Sequence, residues 1–482
     1  MLKKLDRTSA IKPQNLPVKI LQFGKGNFLR AFTEWMVDVL NEKTNFDGGV
    51  TIVQTHSRET DNRFVEQQGL YHLITNGLSN GSPLREIRLI SSVAGLVNPF
   101  EDYAAFLKTA ENPDLQFIVS NTTEAGIAFD AGDRGPDTPS ESFPGNLTAL
   151  LYHRYKFFGP LPDKAVTILP CELIENNGEV LRKVLCQYVD HWNLEERFRQ
   201  WIMDDTLFCN TLVDRIVPGF PKEKTEELWK EIGFNDELIV TAEPYHLWVI
   251  QPLGSPSKDA LSLRTALPLQ QAGLNVKYAD DLAPYRTSKV RILNGAHTCM
   301  VPIAYLHGLR TVKQAVDDPV VGTFIREAIG QEIIPTLDLP ADELHKFAAD
   351  VIERFQNPFI RHELMSIALN SVSKFQVRVL PSILEYYKRL SKPPDRLLRS
   401  LAALILFYKG EWNGEVIQLK DTPQVINIFK EAWESGDADQ AVDKILSNEE
   451  LWKTDLAKLP GLSPAVKAHV KKFCDQRAGR AL

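Results

Sequence analysis

Three side chains in the stretch KVRILNGAHTCM (289–300) carry groups that can work on a carbonyl: the ammonium of Lys289, the amide of Asn294 and the imidazole of His297. On a helix, positions 290, 293, 294, 297 and 300 share a face, so Asn294 and His297 interrupt an apolar stripe of Val290, Leu293 and Met300. A buried amide or imidazole needs a partner, because an unsatisfied polar group costs roughly 1–3 kcal/mol. Steps of five and three residues spread the three side chains over roughly 140° of an α-helix, with about 12 Å along the axis from Lys289 to His297. The long lysine stem and the lean of a histidine toward the helix N-terminus let their tips converge. A lysine whose charge is disfavoured by burial can act as an acid/base near neutral pH. Asn and His can donate hydrogen bonds to a carbonyl oxygen gaining negative charge. Singly, Lys289 reads as a solvated surface lysine and His297 as a satisfied core histidine. Together, on a stripe that should be apolar, they read as a catalytic set.

This stripe opens a helical region. From about residue 284, TVKQAVDDPVVGTFIREAIGQEIIPTL, ADELHKFAADVIERF, HELMSIALNSVSKF and DRLLRSLAALILFYKG all show helical spacing, punctuated by Pro and Gly. Before it, strand-like runs alternate with helices: VKILQFGKG (18–26), GVTIVQT (49–55), LREIRLISSVAGL (84–96), LQFIVSNTTEAG (115–126), AVTILPCELI (165–174), DELIVTAEPYHLWVIQ (236–251) and LNVKYADDL (274–282). That alternation predicts βαβ units and a mostly parallel sheet. The expected organisation is α/β over residues 1–283 followed by a mostly α-helical domain over 284–482.

Two loops of the first half can bind a ligand. FGKGNFLR (23–30) places Gly24 and Gly26 between the first strand and the first helix, where small residues let a pyrophosphate reach the helix N-terminus. Leu29 stands where the usual third glycine would be, and a plain strand–turn–helix is the competing reading. No Asp or Glu sits directly at the tip of the second strand to read ribose hydroxyls, and Arg58 could face a 2′-phosphate, so the motif leaves NAD and NADP open. The second loop, SNTTEAG (120–126), follows a buried strand and could line a nicotinamide pocket; by itself it reads as a turn capped by Thr122 or Thr123 with Glu124 nearby.

The chain has 482 residues, 44% of them apolar, and a net charge of −7, a balance that argues against a nucleic-acid binder. Its five cysteines form no C-x-x-C pair, which argues against a disulfide framework and a structural zinc site. The N-terminus lacks an apolar run behind its basic residues, and no 18-residue apolar window occurs. A soluble cytoplasmic protein is expected, with no membrane partner.

GKGNFLRAF, SNTTEAG, CNTLVDRIVPG (209–219) and K-x-x-x-x-N-x-x-H (289–297), in this order and over nearly the whole chain, resemble the polyol-specific long-chain dehydrogenases, the mannitol dehydrogenase family. SNTTEAGI, PCELI, TLVDRIV, ILNGAHT, QEIIPTLDLP and SIALN are similar to a branch of that family acting on sugar acids. The resemblance implies a Rossmann-type N-terminal domain, a helical C-terminal domain and an active site in the cleft between them. It implies metal-free hydride transfer with NAD as cofactor, NADP remaining open, and cofactor contacts at Phe23, Gly24, Gly26, Asn27, Phe28, Leu29, Thr123 and Glu124. Lys289 would be the acid/base, Asn210 and Asn294 would polarise the carbonyl oxygen, and His297 would orient Lys289 or the substrate. Asp214 and Arg215 look like a structural ion pair after Asn210, a catalytic part being the alternative. The implied reaction is reduction of D-tagaturonate to D-altronate, a keto-uronate to an aldonate. Fructuronate to mannonate, mannitol to fructose, and a non-catalytic dinucleotide sensor are the alternatives.

Two departures bear on the mechanism. Arg286 stands where mannitol dehydrogenases carry a glutamate thought to pass the proton to solvent, and Ser366 replaces an arginine that grips polyol hydroxyls, while Lys374 keeps its place. A sugar acid brings a carboxylate, and the candidate cations for it are Lys374 and Arg378 with Arg361 and His362 behind them. Ordinary exposed cations on a helix are the competing reading.

Overall fold

Runs of β-branched and aromatic residues make the sheet of the first half. Its strands are β1 (Val18–Phe23), β2 (Gly49–Val53), β5 (Val93–Val97), β6 (Phe117–Ser120), β7 (Thr167–Pro170), β8 (Leu207–Asp214), β10 (Leu247–Pro252) and β11 (Val276–Tyr278). They lie in the order β11-β10-β8-β7-β6-β1-β2-β5. All neighbours are parallel except β10, which runs antiparallel to β8. The middle strands are buried along their full length, as expected when helices cover both faces. Three further strands, β3 (Tyr71–Ser79), β4 (Ser82–Ile90) and β9 (Val240–Ala242), form a separate sheet in the order β9-β3-β4. Sequence patterning did not separate this second sheet: YHLITNGLS was not read as a strand, and a strand's partner is set by chain distant in sequence.

The computed structural model describes residues 2–11, 16–122, 125–254 and 260–477. The chain divides into two units: Met1–Asn76 with Pro83–Leu282, and Gly77–Ser82 with Ala283–Leu482. The tip of the β3–β4 hairpin thus groups with the helical unit, where the Gly81 N–H donates to Glu353 Oε1 at 2.5 Å.

Helix α1 follows β1 and is continuous through Asn27–Leu29, a π-helical turn Arg30–Glu34 and Trp35–Lys43. Side chains take carbonyls of that turn: Tyr71 Oη donates to Arg30 O, Arg215 Nη1 to Ala31 O and Ser92 Oγ to Glu34 O. Outside competition of this kind is a recognised cause of local departures from the i→i+4 ladder. Helices α2 (Phe143–Phe158) and α3 (Asn177–His191) pack on the sheet through Leu147, Leu150, Leu151, Leu181, Leu185 and Tyr188.

The second unit has one large apolar core. Its first long helix, α4, runs through Ala283–Ser288, a π-helical segment Lys289–Asn294 and Gly295–Leu306. The sequence reading assumed regular α-helix here. A π-helix bonds i to i+5, so each residue turns by less than 100° and the 140° spread does not hold across this segment. The stretch from Thr311 to Leu337, which showed helical spacing punctuated by Pro and Gly, divides into several helical pieces. Pro319 lacks an N–H, the Asp318 side chain accepts from Val320 and Val321 N, and a new helix α5 (Pro319–Glu327) begins. Helices α6 (Ala341–Phe355), α7 (Ser371–Arg378) and α8 (Asp395–Phe407) complete the wall around α4.

Candidate active site

In the first unit the chain order of the sheet reverses between β1 and β6: from β1 the chain goes to β2 on one side and later to β6 on the other. Open α/β sheets bind ligands at such a point, beyond the C-terminal strand ends. The glycine turn and the Ser120–Thr122 loop flank it. Gly24 has φ +108°, and a Cβ there would come within 3.1 Å of Asn121 O, so this turn needs glycine. Gly26 is exposed, and a Cβ on it would meet nothing within 4 Å. Beside it open the first N–H groups of α1, which lack intrahelical acceptors. An open glycine cradle at a helix N-terminus fits a pyrophosphate.

The other cofactor candidates fall out differently. Phe23 is fully buried against Phe106 and Phe143, so only its backbone faces the turn. Leu29 is core; Phe28 is half-buried and stacks on Phe32 at 4.9 Å; Asn27 is exposed, with Oδ1 accepting from Arg30 Nη2. Thr123 and Glu124 lie outside the described residues.

Beneath the turn, Gln22 Nε2 donates to Gly24 O (3.0 Å) and to Glu34 Oε1 (2.6 Å), and Tyr71 Oη donates to Glu34 Oε2 (2.8 Å). Burial pushes the Glu34 carboxyl above its ordinary range. An acid further along the loop after β2, Asp61, comes back to the glycine turn. Gln54 Oε1 takes the Asp61 N–H, and the Asp61 carboxylate contacts Lys25 Nζ of the glycine turn at 2.6 Å and Arg63 through two bonds. Arg63, then Lys25, hold Asp61 well below the usual carboxylate range. Arg58 instead pairs with Glu141 on the surface.

Asn210 lies on β8, buried. Its Oδ1 accepts the Glu179 N–H at 3.1 Å and its Nδ2 donates to Gln251 Oε1 at 3.3 Å. Helix α3 comes this close because Gly178 has no side chain: a Cβ would stand 2.2 Å from Cys209 O. Asn177 completes the seat, donating to Pro170, Glu172 and Thr211 carbonyls. Arg215 gives its guanidinium to the carbonyls of Glu243 and Ala31 and lies 4.1 Å from the Trp35 ring centre; burial lowers its pKa to about 10.

In the second unit, Lys289 and Asn294 are half-buried at the two ends of the π-helical segment, and His297 follows one turn later. The His297 ring stacks on Phe355 of α6, with centroids 4.1 Å apart, and meets the His362 ring edge-on at 5.2 Å. Its Nε2 is buried and has no hydrogen-bond partner among the described residues. Burial, followed by the positive surroundings of His362, Arg354, Arg378 and Lys374, keeps this imidazole neutral well below pH 6.5. A neutral ring with an unpartnered nitrogen near Arg354, Arg378 and Lys374 can meet a polar, anionic ligand.

Lys374 Nζ donates to Ile367 O at 2.9 Å, and burial, with Arg378 next, lowers its pKa; burial also lowers those of Arg378 and His362. Arg361 stands apart from this group. Its guanidinium is 82% exposed and ion-paired with Glu363, the surface-cation reading. Among the described residues, no three His, Cys, Asp or Glu side chains could hold a metal ion, and no helix is long and apolar enough to cross a membrane.

A family model described as the mannitol dehydrogenase Rossmann domain matches residues 18–261, and one described as the mannitol dehydrogenase C-terminal domain matches residues 281–474. The chain belongs to the mannitol dehydrogenase family. As a member it is a dehydrogenase, an enzyme of CH–OH oxidoreduction. This family member is 45% identical to a Bacillus subtilis protein named altronate oxidoreductase, over 100% of this chain and 98% of that one. A Phocaeicola vulgatus protein of the same name is 42% identical over 97% and 96%. Among solved structures, a substrate-free D-sorbitol dehydrogenase matches with TM-score 0.79 at 22% identity over 99% of both chains. The Pseudomonas fluorescens mannitol 2-dehydrogenase complex with NAD and D-mannitol matches at 0.62 and 22%, over 99% and 98%. Both share the fold of this mannitol dehydrogenase family member.

The sequence reading missed Phe355, Arg354, Asp61, Gln22, Glu34 and Glu172. Only Glu34 and Glu172, acids beside apolar runs, left a signal in the sequence, as breaks in otherwise apolar patterning.

Proposed function

We propose that this chain reduces the ketone of D-tagaturonate to D-altronate with NADH, the first unit binding the dinucleotide and the helical unit binding the sugar acid. The observation that carries the choice of an acid over a neutral polyol is the orphan Nε2 of His297 with Arg354, His362, Lys374 and Arg378 around it. The names of the relatives similar over their full length support the particular acid.

The dinucleotide, when bound, supplies the hydride that the ketone carbon accepts. The Gly24–Gly26 turn and the start of α1 would hold its pyrophosphate, and Thr123 and Glu124 belong to the loop proposed beside the nicotinamide. Lys289 gives its proton to the carbonyl oxygen as the C–H bond forms. Asn294 and Asn210 donate hydrogen bonds to that oxygen as it gains charge. The neutral His297 ring orients Lys289 or a substrate hydroxyl through Nε2. Lys374 and Arg378 bind the carboxylate, with His362 behind them. Each reduction consumes one proton, so higher pH favours the reverse oxidation of altronate.

The test is a panel of keto-uronates and polyols assayed for oxidation of NADH and NADPH by absorbance. Tagaturonate should be the fastest substrate with NADH. Faster turnover of fructuronate or of fructose would move the assignment to that substrate. NADH binding without turnover of any ketone would favour a sensor.

A further inference from the structure

We propose that Glu172 is a positioning residue that fixes the Ser120–Thr122 wall of the dinucleotide crevice; this rests on the dinucleotide reading of the first unit. Glu172 lies just beyond β7, is 2% exposed, and has no cation paired with it among the described residues. Its Oε1 accepts from Thr122 N at 3.0 Å and from Thr122 Oγ1 at 3.1 Å, and its Oε2 accepts from Ser120 Oγ at 3.1 Å. Burial raises its pKa, and these three bonds oppose the rise.

A buried carboxyl facing no cation is costly unless its acceptor capacity is used, and here nearly all of it goes to one three-residue segment. The same segment is zipped to β7 by Cys171 N to Ser120 O (2.7 Å) and by Asn121 Nδ2 to Cys171 O (2.6 Å). On its other side, Asn121 N donates to Phe23 O, and Asn121 O faces Gly24 at the switch point. Gln22 pins the opposite wall by bonding Gly24 O. Both backbone walls of the crevice are therefore held from below by buried polar side chains, and on the β6 side the anchor is Glu172. A backbone wall that is fixed in advance binds its ligand without paying to be ordered.

The full-length chain is titrated with NADH by fluorescence, and melting is followed in parallel. Glu172→Leu should weaken NADH binding about tenfold or more, since all three side-chain bonds to the wall are lost. Glu172→Gln should stay within about threefold of wild type, because its amide oxygen can accept both Thr122 bonds and its Nε2 can donate to Ser120 Oγ. Thr122→Val, which keeps the buried acid and removes one bond, should weaken binding about threefold and melt near wild type. Wild-type affinity in folded Glu172→Leu, or in Thr122→Val should the leucine variant not fold, overturns the inference. So does a glutamine variant as weak as leucine. Failure of the wild-type chain to bind either NADH or NADPH would instead overturn the dinucleotide reading itself.

Discussion

The carbonyl oxygen of Arg378 sits 3.2 Å from the point where a Cβ on Gly295 would stand. Helix α7 therefore ends pressed against the junction where α4 passes from π-helix to α-helix, two residues before His297. Gly295→Ala gains up to about 1 kcal/mol of helix propensity but forces a backbone oxygen to move, at a cost of about 1–3 kcal/mol. The expected outcome is a lower Tm together with a raised KM for the keto acid, because Arg378 is displaced. An unchanged KM would mean that Arg378 does not touch substrate.

Lys374→Ala and Arg378→Ala should each raise KM for tagaturonate by about 10- to 100-fold, the loss expected for a charge-assisted hydrogen bond to a carboxylate. Arg361→Ala, whose guanidinium is exposed on Glu363, should leave KM within about twofold. Steady-state kinetics with the keto acid and with fructose separate the cases: the first two variants should lose preference for the acid.

Lys289→Ala should reduce turnover by about 10²–10⁴-fold, the usual contribution of a positioned general acid. NADH affinity, measured by fluorescence titration, should change little, since the dinucleotide cradle is built from residues of the first unit. Near-wild-type turnover would remove Lys289 from the mechanism.

Phe355 is buried and forms one face of the His297 pocket. Phe355→Ala should cost about 3–5 kcal/mol of stability, read by denaturant melts. It should also let water reach the imidazole, so the His297 ring resonance in NMR should titrate at higher pH, nearer 6.5, than in wild type. An unmoved titration would show that Phe355 does not desolvate the ring.

Burial, followed by the Arg215 charge, lowers the pKa of His246 to about 4. Its Nε2 accepts the Asn275 N–H, so Nδ1 carries the proton that Pro244 O accepts. The unfolded chain binds a proton at this residue near pH 6.5 and the folded chain does not, so stability is full above that pH and is lost as pH falls toward 4. The loss is on the order of 3 kcal/mol from this group. Urea melts at pH 7 and pH 5 should show the decline, and His246→Asn should flatten it. An equal decline in both proteins would assign it to other groups.

Much of this molecule was legible in the chain itself. Alternation of strand runs with helices, the glycine turn after VKILQF and the helical run after residue 284 are local patterns, and local patterns follow from backbone sterics and periodicity. The interrupted stripe at Asn294 and His297 was legible for the same reason: a polar group on an apolar face is visible at short range. The Asp61 carboxylate was not, because eight residues of loop past β2 are folded back by Gln54 to reach Lys25. Nor was the π-helical register of Lys289–Asn294, since the α and π ladders differ by one residue in bonding partner and side-chain periodicity does not distinguish them over so short a stretch.

The sequence by itself determined the fold class, the family and the residue types able to move a proton to a ketone. Only the tertiary structure decided which groups share a pocket. It set His297 against Phe355 and His362, left Arg361 outside with Glu363, and buried Glu172 under Thr122. The physical reason is range. Helix and strand patterns are written over a few neighbouring residues, whereas the burial and charge that tune a side chain come from segments tens of residues away, brought near only by packing.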